Sequence, residues 1–274
     1  MSHRLQRVIV SGCCGRMGSR LITLLRQTPA WRLAGAVESP THPSVGQDVG
    51  ECLGQGSLGV RITADITSIA QRGAVLIEFS TPHATTAHAT TAARLRCPMV
   101  IGTTALSDTQ LAVIRRASRR IPIVVSPNMS LGVNVLFQLA VQAVRALGDG
   151  YDVEIVETHH AGKRDAPSGT AKRLAHLLAT ARHRDLRRVG VYGRRGDQPR
   201  RSHREIGIHA IRAGDVIGDH QVIFATPGER VELVHRASSR DAFLYGALQA
   251  ARFVVGKPPR LYDMQDVLGL TRRR

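Results

Sequence analysis

The sequence has few cysteines, few lysines, few aromatic residues and no long apolar run. Its four cysteines, at positions 13, 14, 52 and 97, contain no C-x-x-C pair and no spacing typical of zinc ligands. They predict neither a metal site nor a disulfide framework, and they favour a reducing compartment. No apolar run approaches the roughly 20 residues of a membrane span, and the one ending at Gly12 is too short for a signal peptide. We therefore expect a cytoplasmic protein that does not enter a membrane.

Positive charge is in large excess, with 38 lysines and arginines, 21 acidic residues and a formal charge of +17. Only Lys163, Lys172 and Lys257 are lysines, so a lysine inside a motif is notable. The arginines are scattered, and no helix-turn-helix or RNA-binding signature surrounds the densest group, between 182 and 204. This favours an arginine-rich solvated surface over a nucleic-acid interface.

The first half of the chain alternates strand and helix. Val8–Val10 is a short β-branched run that leads into a glycine-rich turn, a helix over about 19–27 and a second strand over 31–38. Further strands are predicted over 75–79, 98–101 and 121–125, with a helix from Ser107, its expected N-cap, to Arg119. This alternation predicts an α/β fold with a Rossmann-type, doubly wound parallel sheet.

The pattern changes near residue 130. A long amphipathic helix over 133–146, a strand over 151–158 and a helix over 168–182 are followed by three strand-like runs, 205–212, 219–225 and 230–237. Three neighbouring strands joined by Gly/Asp turns predict an antiparallel region. We expect a second, α+β domain, and a last helix over 241–255.

Gly12, Gly15 and Gly18 follow a strand and open a helix with the spacing G-x-x-G-x-x-G, a variant of the dinucleotide fingerprint. The helix start offers free N–H groups and a positive dipole to phosphates. Glu38, at the end of the second strand, is placed to accept hydrogen bonds from a ribose. Together these features favour dinucleotide binding over a plain tight turn.

Two loops follow later strands of the predicted sheet. They are Gly102-Thr103-Thr104 and Ser126-Pro127-Asn128-Met129. Ligands bind outside the carboxyl ends of strands in such sheets, so these loops are candidates to hold the nicotinamide half. From position alone, structural turns are an equal alternative.

The segment from His159 to Thr170 contains two histidines and a lysine between a strand and a helix. Pro167 and Ser168 mark the helix start, which predicts unpaired N–H groups at Ser168, Gly169 and Thr170. A carboxylate would be held there by the helix dipole, with Lys163 and the histidines supplying charge and protons. A polar strand edge is the simpler alternative.

Two motifs resemble those of one enzyme family. Residues 12–18 resemble the G-x-x-G-R-M-G fingerprint of 4-hydroxy-tetrahydrodipicolinate reductases, and residues 157–171 resemble their long E-x-H-H-x-x-K-x-D-A-P-S-G-T-A signature. Shorter matches, including 100–104, 128–134, 212–215 and 235–240, extend the resemblance over nearly the whole chain.

The resemblance implies roles for individual residues. His159 and Lys163 would handle protons, and the substrate would contact His160, Ser168, Gly169 and Thr170. The cofactor would be held by Gly12, Cys13, Cys14, Gly15, Arg16, Met17, Gly18, Glu38, Phe79, Gly102, Thr103, Thr104, Ser126, Pro127, Asn128 and Met129.

The implied reaction is hydride transfer from NADH or NADPH to a cyclic unsaturated dicarboxylate, formed when the hydroxylated ring loses water, in lysine and diaminopimelate biosynthesis. The resemblance also implies a homotetramer. It assigns 1–130 and 241–274 to the dinucleotide-binding domain, and 131–240 to a substrate-binding and oligomerisation domain. Ser39 stands where the family often has arginine, which leaves the choice between NADH and NADPH open.

Two alternatives belong to other functional classes. One is another two-domain dehydrogenase that acts on a small acidic imine or amino acid. The other is a dinucleotide-sensing nucleic-acid binder, suggested only by the charge.

Overall fold

The computed structural model describes residues 5–197 and 199–270. The chain divides into two compact units, with boundaries after Met129 and after Ala242. The first unit contains the strands and helices at both ends of the chain, and the second contains those between them.

The elements in chain order are β1 (Gln6–Ser11), α1 (Arg16–Arg26), β2 (Trp31–Val37), α2 (Val49–Cys52), β3 (Ile62–Thr63), β4 (Ala74–Glu78), α3 (Pro82–Leu95), β5 (Met99–Ile101), α4 (Asp108–Ala117), β6 (Ile123–Val125), α5 (Leu131–Leu147), β7 (Asp152–His159), α6 (Gly169–Ala181), α7 (Leu186–Val189), β8 (Gly190–Tyr192), β9 (Ile206–Arg212), β10 (Gly218–Thr226), β11 (Glu229–Ala237), α8 (Asp241–Val254), β12 (Leu261–Tyr262) and α9 (Met264–Val267).

The first unit is built on a seven-stranded sheet in the order β12-β6-β5-β4-β1-β2-β3, and all of its pairings are parallel. Val8, Ile9 and Val10 of β1 are completely buried, as expected for a central strand covered on both faces. The predicted doubly wound sheet is confirmed. Its order reverses direction at β1 and β4, so the carboxyl ends of these strands form the crevice where such folds bind ligands.

Local capping decides where two of these helices begin. Ser107 caps α4, and it forms a capping box with Gln110, as the sequence predicts. Helix α1 begins at Arg16, three residues before the predicted start, with Gly15 as its N-cap. Gly15 has an extended backbone and is the N-cap, so the helix starts immediately after Gly12–Gly15 in the chain.

The second unit contains a mixed five-stranded sheet in the order β11-β10-β7-β9-β8. The predicted arrangement of three neighbouring antiparallel strands is wrong in one respect, because β7 lies between β9 and β10. It pairs parallel with β9 and antiparallel with β10. The buried residues of β7, Val153 and Ile155, are part of the core that this sheet forms with α5 and α6, which explains the central position of β7.

One helix in the described part of the chain, Leu131–Gly150, is long and apolar enough to cross a membrane by length and composition alone. This corrects the expectation that no run approaches that length. A core helix passes the same test, and Val133, Leu136, Phe137, Ala140 and Val144 on this helix pack into the core of the second unit. The apolar character of this helix is therefore explained by its packing in the core of the second unit.

Candidate functional site

Glycines 12 and 18 shape the loop between β1 and α1. Gly12 has φ +71°, a left-handed conformation that favours glycine, and a Cβ there would lie 2.9 Å from the carbonyl oxygen of Phe79. A Cβ on Gly18 would lie 2.1 Å from the carbonyl oxygen of Gly12. Helix α1 therefore packs directly against the loop, and its first N–H groups, which have no partner within the helix, lie just beyond the carboxyl end of β1. This is a cradle that fits a pyrophosphate.

Glu38 lies beside this loop, because β2 pairs with β1 in parallel register. One of its carboxylate oxygens accepts a hydrogen bond from the backbone N–H of Cys14 at 3.0 Å, and the other accepts one from Ser39 at 2.9 Å. Each oxygen retains a further lone pair, so the carboxylate can also accept hydrogen bonds from a ligand hydroxyl. Burial raises the pKa of the Cys13 and Cys14 thiols, which keeps the loop next to Glu38 free of thiolate charge.

A cavity of about 420 Å³ joins most of the predicted coenzyme loops. It is lined by Arg16, Met17, Phe79, Ser80, Gly102, Thr103, Thr104, Pro127, Asn128, Met129 and Phe243. Ser126 does not line it: the residue is buried, and its hydroxyl donates to the carbonyl of Asn128 at 2.7 Å. Ser126 thus shapes the loop, which differs from the predicted direct contact. Phe243 was not predicted, because it is distant in sequence from every loop motif.

A Glu–His pair, in which only the glutamate is fully buried, supports the Phe79 wall of this cavity. Glu78 is fully buried, its carboxylate lies 2.7 Å from Nδ1 of His88, and it accepts a hydrogen bond from the backbone N–H of Ser80. The Phe79 ring packs so closely on Gly102 that a Cβ there would lie 2.2 Å from its Cε1. The pair therefore holds the turn that carries the ring.

In the second unit, Ser168 begins helix α6 as predicted, and its hydroxyl accepts a hydrogen bond from the N–H of Ala171. The prediction of an unpaired N–H at Ser168 is wrong, since that group donates to the Glu157 carboxylate at 2.9 Å. Ser168 is also buried. Gly169, the exposed first residue of the helix, has no partner for its N–H within the helix, and Thr170 follows it on the first turn. A ligand anion would therefore meet the helix at Gly169.

Glu157 organises the segment from 159 to 168. It is fully buried, accepts two hydrogen bonds from the Arg212 guanidinium at 2.9 Å each, and is hydrogen-bonded to Nδ1 of His159. Burial alone would raise the pKa of this carboxyl, but the hydrogen bonds from Arg212, His159 and Ser168 outweigh it and lower the pKa. The glutamate is therefore ionised and binds the histidine, the arginine and the helix start together.

His159 is held as a neutral imidazole with one defined tautomer. Burial lowers the pKa of His159, and the hydrogen bond with Glu157 only partly opposes this. Since Glu157 is a carboxylate, Nδ1 of His159 donates to it, and Nε2 carries the lone pair. Nε2 lies next to Gly218, where a Cβ would come within 3.0 Å of it. His159 is thus equipped to accept a proton at Nε2.

Lys163 and His160 lie on the loop after β7. The Lys163 ammonium donates to Asp165 at 2.7 Å, and its backbone N–H donates to the carbonyl of His160. Arg212 donates to the backbone carbonyls of Lys163 and Asp165, so the same arginine fixes the loop and Glu157. His160 and Lys163 are both partly exposed, in contrast to His159. The predicted residues of this segment therefore share one polar site.

His220, on β10, contacts this network. Its ring meets that of His159 edge-on at 5.2 Å, and Nε2 lies 3.2 Å from the Ser168 hydroxyl. Burial, with a smaller effect of His159, lowers the pKa of His220 to about 3. Within the described residues, its Nδ1 is buried without a partner.

The low pKa of His220 makes the fold sensitive to acid. In the unfolded chain, His220 takes up a proton near its ordinary pKa of 6.5, whereas in the folded chain it stays neutral down to about pH 3. The contribution of neutral His220 to the free energy of unfolding is therefore fully present above pH 6.5. As the pH falls below 6.5, this contribution decreases by about 1.4 kcal/mol per pH unit. In urea unfolding between pH 6 and 4, we expect His220→Gln to lose less free energy of unfolding than the parent chain. His83→Gln, at an exposed position, should behave like the parent chain. Equal slopes for all three proteins would refute this effect.

Glu157, Arg212 and His220 are site residues to which no sequence motif gives a role. Glu157 and Arg212 lie within stretches that resemble the family, but their pairing spans 55 positions. His220 carried no signal beyond its place in a predicted strand.

Comparisons with known proteins agree on one family. Family models described as "Dihydrodipicolinate reductase, N-terminus" and "Dihydrodipicolinate reductase, C-terminus" match residues 6–129 and 132–268. A 4-hydroxy-tetrahydrodipicolinate reductase of Syntrophus aciditrophicus is 48% identical over 263 residues, which cover 96% of this chain and 98% of the relative. One from Rubrobacter xylanophilus is 50% identical over 262 residues, with coverage of 96% and 98%.

A solved structure has the same fold. The dipicolinate-bound dihydrodipicolinate reductase from Paenisporosarcina sp. TG-14 aligns with a TM-score of 0.76 over 96% of this chain and 99% of that one, at 23% identity.

Proposed function

The chain belongs to the dihydrodipicolinate reductase family, and from that premise we propose that His159 and Lys163 handle the proton of its reaction. The activity is the NAD(P)H-dependent reduction of 4-hydroxy-tetrahydrodipicolinate, through dihydrodipicolinate, to tetrahydrodipicolinate, a step of lysine and diaminopimelate biosynthesis. The observation that carries the proposal is the Glu157 carboxylate, which joins His159 to the start of α6.

Lys163 is the better proton donor of the two residues. An ammonium carries three donor N–H groups, and that of Lys163 is positioned by Asp165. His159 is neutral and donates its one N–H to Glu157, so its Nε2 accepts a proton. We assign to Lys163 the delivery of a proton to the reduced ring, and to His159 the acceptance at Nε2 of the ring proton that is removed when water leaves.

The substrate carboxylates need donors that do not move. Gly169 at the start of α6 offers its backbone N–H and the positive end of the helix dipole, and the side chain of Thr170 follows on the same turn. His160 and Lys163, on the partly exposed loop after β7, add side-chain hydrogen-bond donors. These fixed donors would stabilise both the bound dianion and the charge that develops during reduction. Ser168 contributes by capping the helix.

The first unit fits the nicotinamide coenzyme. We assign the pyrophosphate to Gly12–Gly18, the adenosine ribose to Glu38, and the nicotinamide half to the cavity walls at Phe79, Gly102–Thr104 and Pro127–Met129. When bound, the reduced nicotinamide supplies the hydride. The chain contributes the close backbone approach at Gly12 and a wall held rigid by Glu78 and His88.

Coenzyme choice depends on the residue after Glu38. Ser39 is exposed, carries no charge, and its hydroxyl lies 3.1 Å from that of Thr41. A 2′-phosphate would meet the Glu38 carboxylate, and Ser39 offers it no positive charge, so we expect NADH to be preferred. Ser39→Arg should improve kcat/KM for NADPH by about tenfold or more, because hydrogen bonds to charged groups contribute about 1.5–3 kcal/mol. Ser39→Gln, which adds length without charge, should not; an equal gain in both variants would contradict the charge argument.

We further propose a cytoplasmic homotetramer. All four cysteines are free, which suits a reducing compartment. Ile211 and Val234, on the face of the second sheet away from α5 and α6, are 45% and 43% exposed, so a second copy of the chain could cover them. Sedimentation analysis should give a four-chain mass, and a monomer mass at micromolar concentration would refute the assembly.

The function is tested directly by following nicotinamide absorbance with synthase-generated substrate, using NADH and NADPH in parallel. We expect oxidation of the coenzyme only after the substrate is added. A folded protein that oxidises neither coenzyme would overturn the assignment.

A further inference from the structure

Three side chains that can bind a metal ion of the zinc class meet beside the coenzyme loop. They are Cys13 and Cys14, which are adjacent in the chain, and Glu38, which the pairing of β1 with β2 brings to them. One ligand atom from each lies within 4.8 Å of the other two, and the two sulfur atoms are 3.8 Å apart. None of these three residues takes part in the proton transfer proposed for the reaction.

The sulfur separation matches a tetrahedral metal site. Zinc–sulfur bonds are about 2.3 Å long, so two thiolates on one tetrahedral ion stand about 3.8 Å apart. Cys13 and Cys14 therefore need little movement to bind one ion together. Cys13 is buried, whereas Cys14 and Glu38 are partly exposed, so an ion would enter from their side and keep solvent in its fourth position.

We propose that Cys13, Cys14 and Glu38 form a site for a divalent cation of the zinc class, and that this ion and the dinucleotide exclude one another. The metal site stands on the geometry alone. The exclusion rests on the proposed role of Glu38 in holding the ribose, because an oxygen bound to the ion is withdrawn from the ribose hydroxyls.

The chemistry of the donors supports this assignment. Thiolates and a carboxylate are ligands that zinc accepts, and a coordinating thiol gives up its proton to the metal even where burial disfavours the free thiolate. The negative charge left by two thiolates and one carboxylate lies at the start of α1, where the helix dipole stabilises it. Free zinc would then inhibit the reductase reversibly, and a chelator would restore it.

The site is tested by titrating the coenzyme-free protein with Cd²⁺ and following the ultraviolet charge-transfer absorption of cadmium bound to thiolate. We expect one ion per chain, displaced by Zn²⁺. Cys14→Ser and Cys13→Ser should each reduce the absorption. Cys97→Ala is the matched control, because its sulfur donates to the carbonyl of Ala74 at the start of β4, whereas Cys13 follows the end of β1, the neighbouring parallel strand. It should leave the absorption unchanged.

Absorption that persists undiminished in both the Cys13 and Cys14 variants, or that disappears in Cys97→Ala, would overturn the site. Circular dichroism of each variant checks that a lost signal does not come from unfolding. Prior saturation with NADH should abolish the cadmium signal, and simultaneous binding would refute the exclusion. A failure of the proposed function would be seen separately, as absent reductase activity in the metal-free protein.

Discussion

Lys163→Ala is expected to lower kcat by about 10²- to 10⁴-fold, the usual contribution of a positioned proton donor. The substitution removes the one ammonium on the loop after β7 and leaves the first unit untouched, so the Kd for NADH should not change. Steady-state kinetics give kcat, and quenching of nicotinamide fluorescence gives the Kd. Lys172→Ala is the matched control, because Lys172 is an exposed lysine on the first turn of the adjacent helix α6.

His159→Ala should also lose most turnover with NADH binding intact, through the loss of the acceptor at Nε2. The acid limb of the pH–rate profile separates the two roles: burial lowers the pKa of His159, so a limb that belongs to His159 should lie on the acid side of its ordinary range and be absent from His159→Ala. Wild-type turnover in both variants would rule out this segment as the place where protons are transferred. A loss of turnover in Lys172→Ala equal to that in Lys163→Ala would point to general charge instead of a specific donor.

Arg212→Met is expected to lower the free energy of unfolding by about 3–5 kcal/mol, because it leaves the Glu157 carboxylate buried without its cation. The arginine side chain is 19% exposed and the glutamate is fully buried, so water cannot replace the lost hydrogen bonds. The variant also releases the carbonyls of Lys163 and Asp165. Turnover should therefore fall together with stability.

Urea unfolding at pH 7 measures the effect, and a double variant separates its parts. Glu157→Gln combined with Arg212→Met removes the stranded charge, so it should recover part of the lost stability while turnover stays low. Arg230→Met is the control, since the Arg230–Glu232 pair is solvent-exposed and should contribute less than about 1 kcal/mol. If Arg212→Met is as stable as that control, the buried pair does not hold the site together.

Patterns confined to a short stretch of chain predicted much of this protein. The parallel sheet followed from β-branched runs and glycine turns, and Ser107 and Ser168 were recognised as helix caps because a cap acts within four residues. The order of strands in the second sheet was predicted wrongly for the opposite reason. Nothing local in β9 or β10 indicates that β7 pairs with each of them.

At the candidate site, too, local motifs predicted some features and long-range contacts decided the others. The residue types of its motifs, from Gly12 to Gly18 and from His159 to Thr170, could be read directly from the chain. The protonation states and hydrogen bonds of these residues could not be read in this way. Glu157 meets Arg212 across 55 positions, and the hydrogen bonds from Arg212 help to keep Glu157 ionised. Burial keeps His159 a neutral acceptor, and Glu157 occupies the Ser168 N–H. Burial and charge at one point depend on what long-range folding brings there, which sequence spacing does not encode.

The cysteines show this division most clearly. Their number and spacing in the sequence determined that no disulfide framework and no familiar zinc motif were expected. Only the tertiary structure placed Glu38 against Cys13 and Cys14, 24 positions away from the nearer one, through the parallel register of β1 and β2. A metal site is defined by distances of a few ångströms between its ligands. Here these distances result from the pairing of two strands, which a linear motif does not contain.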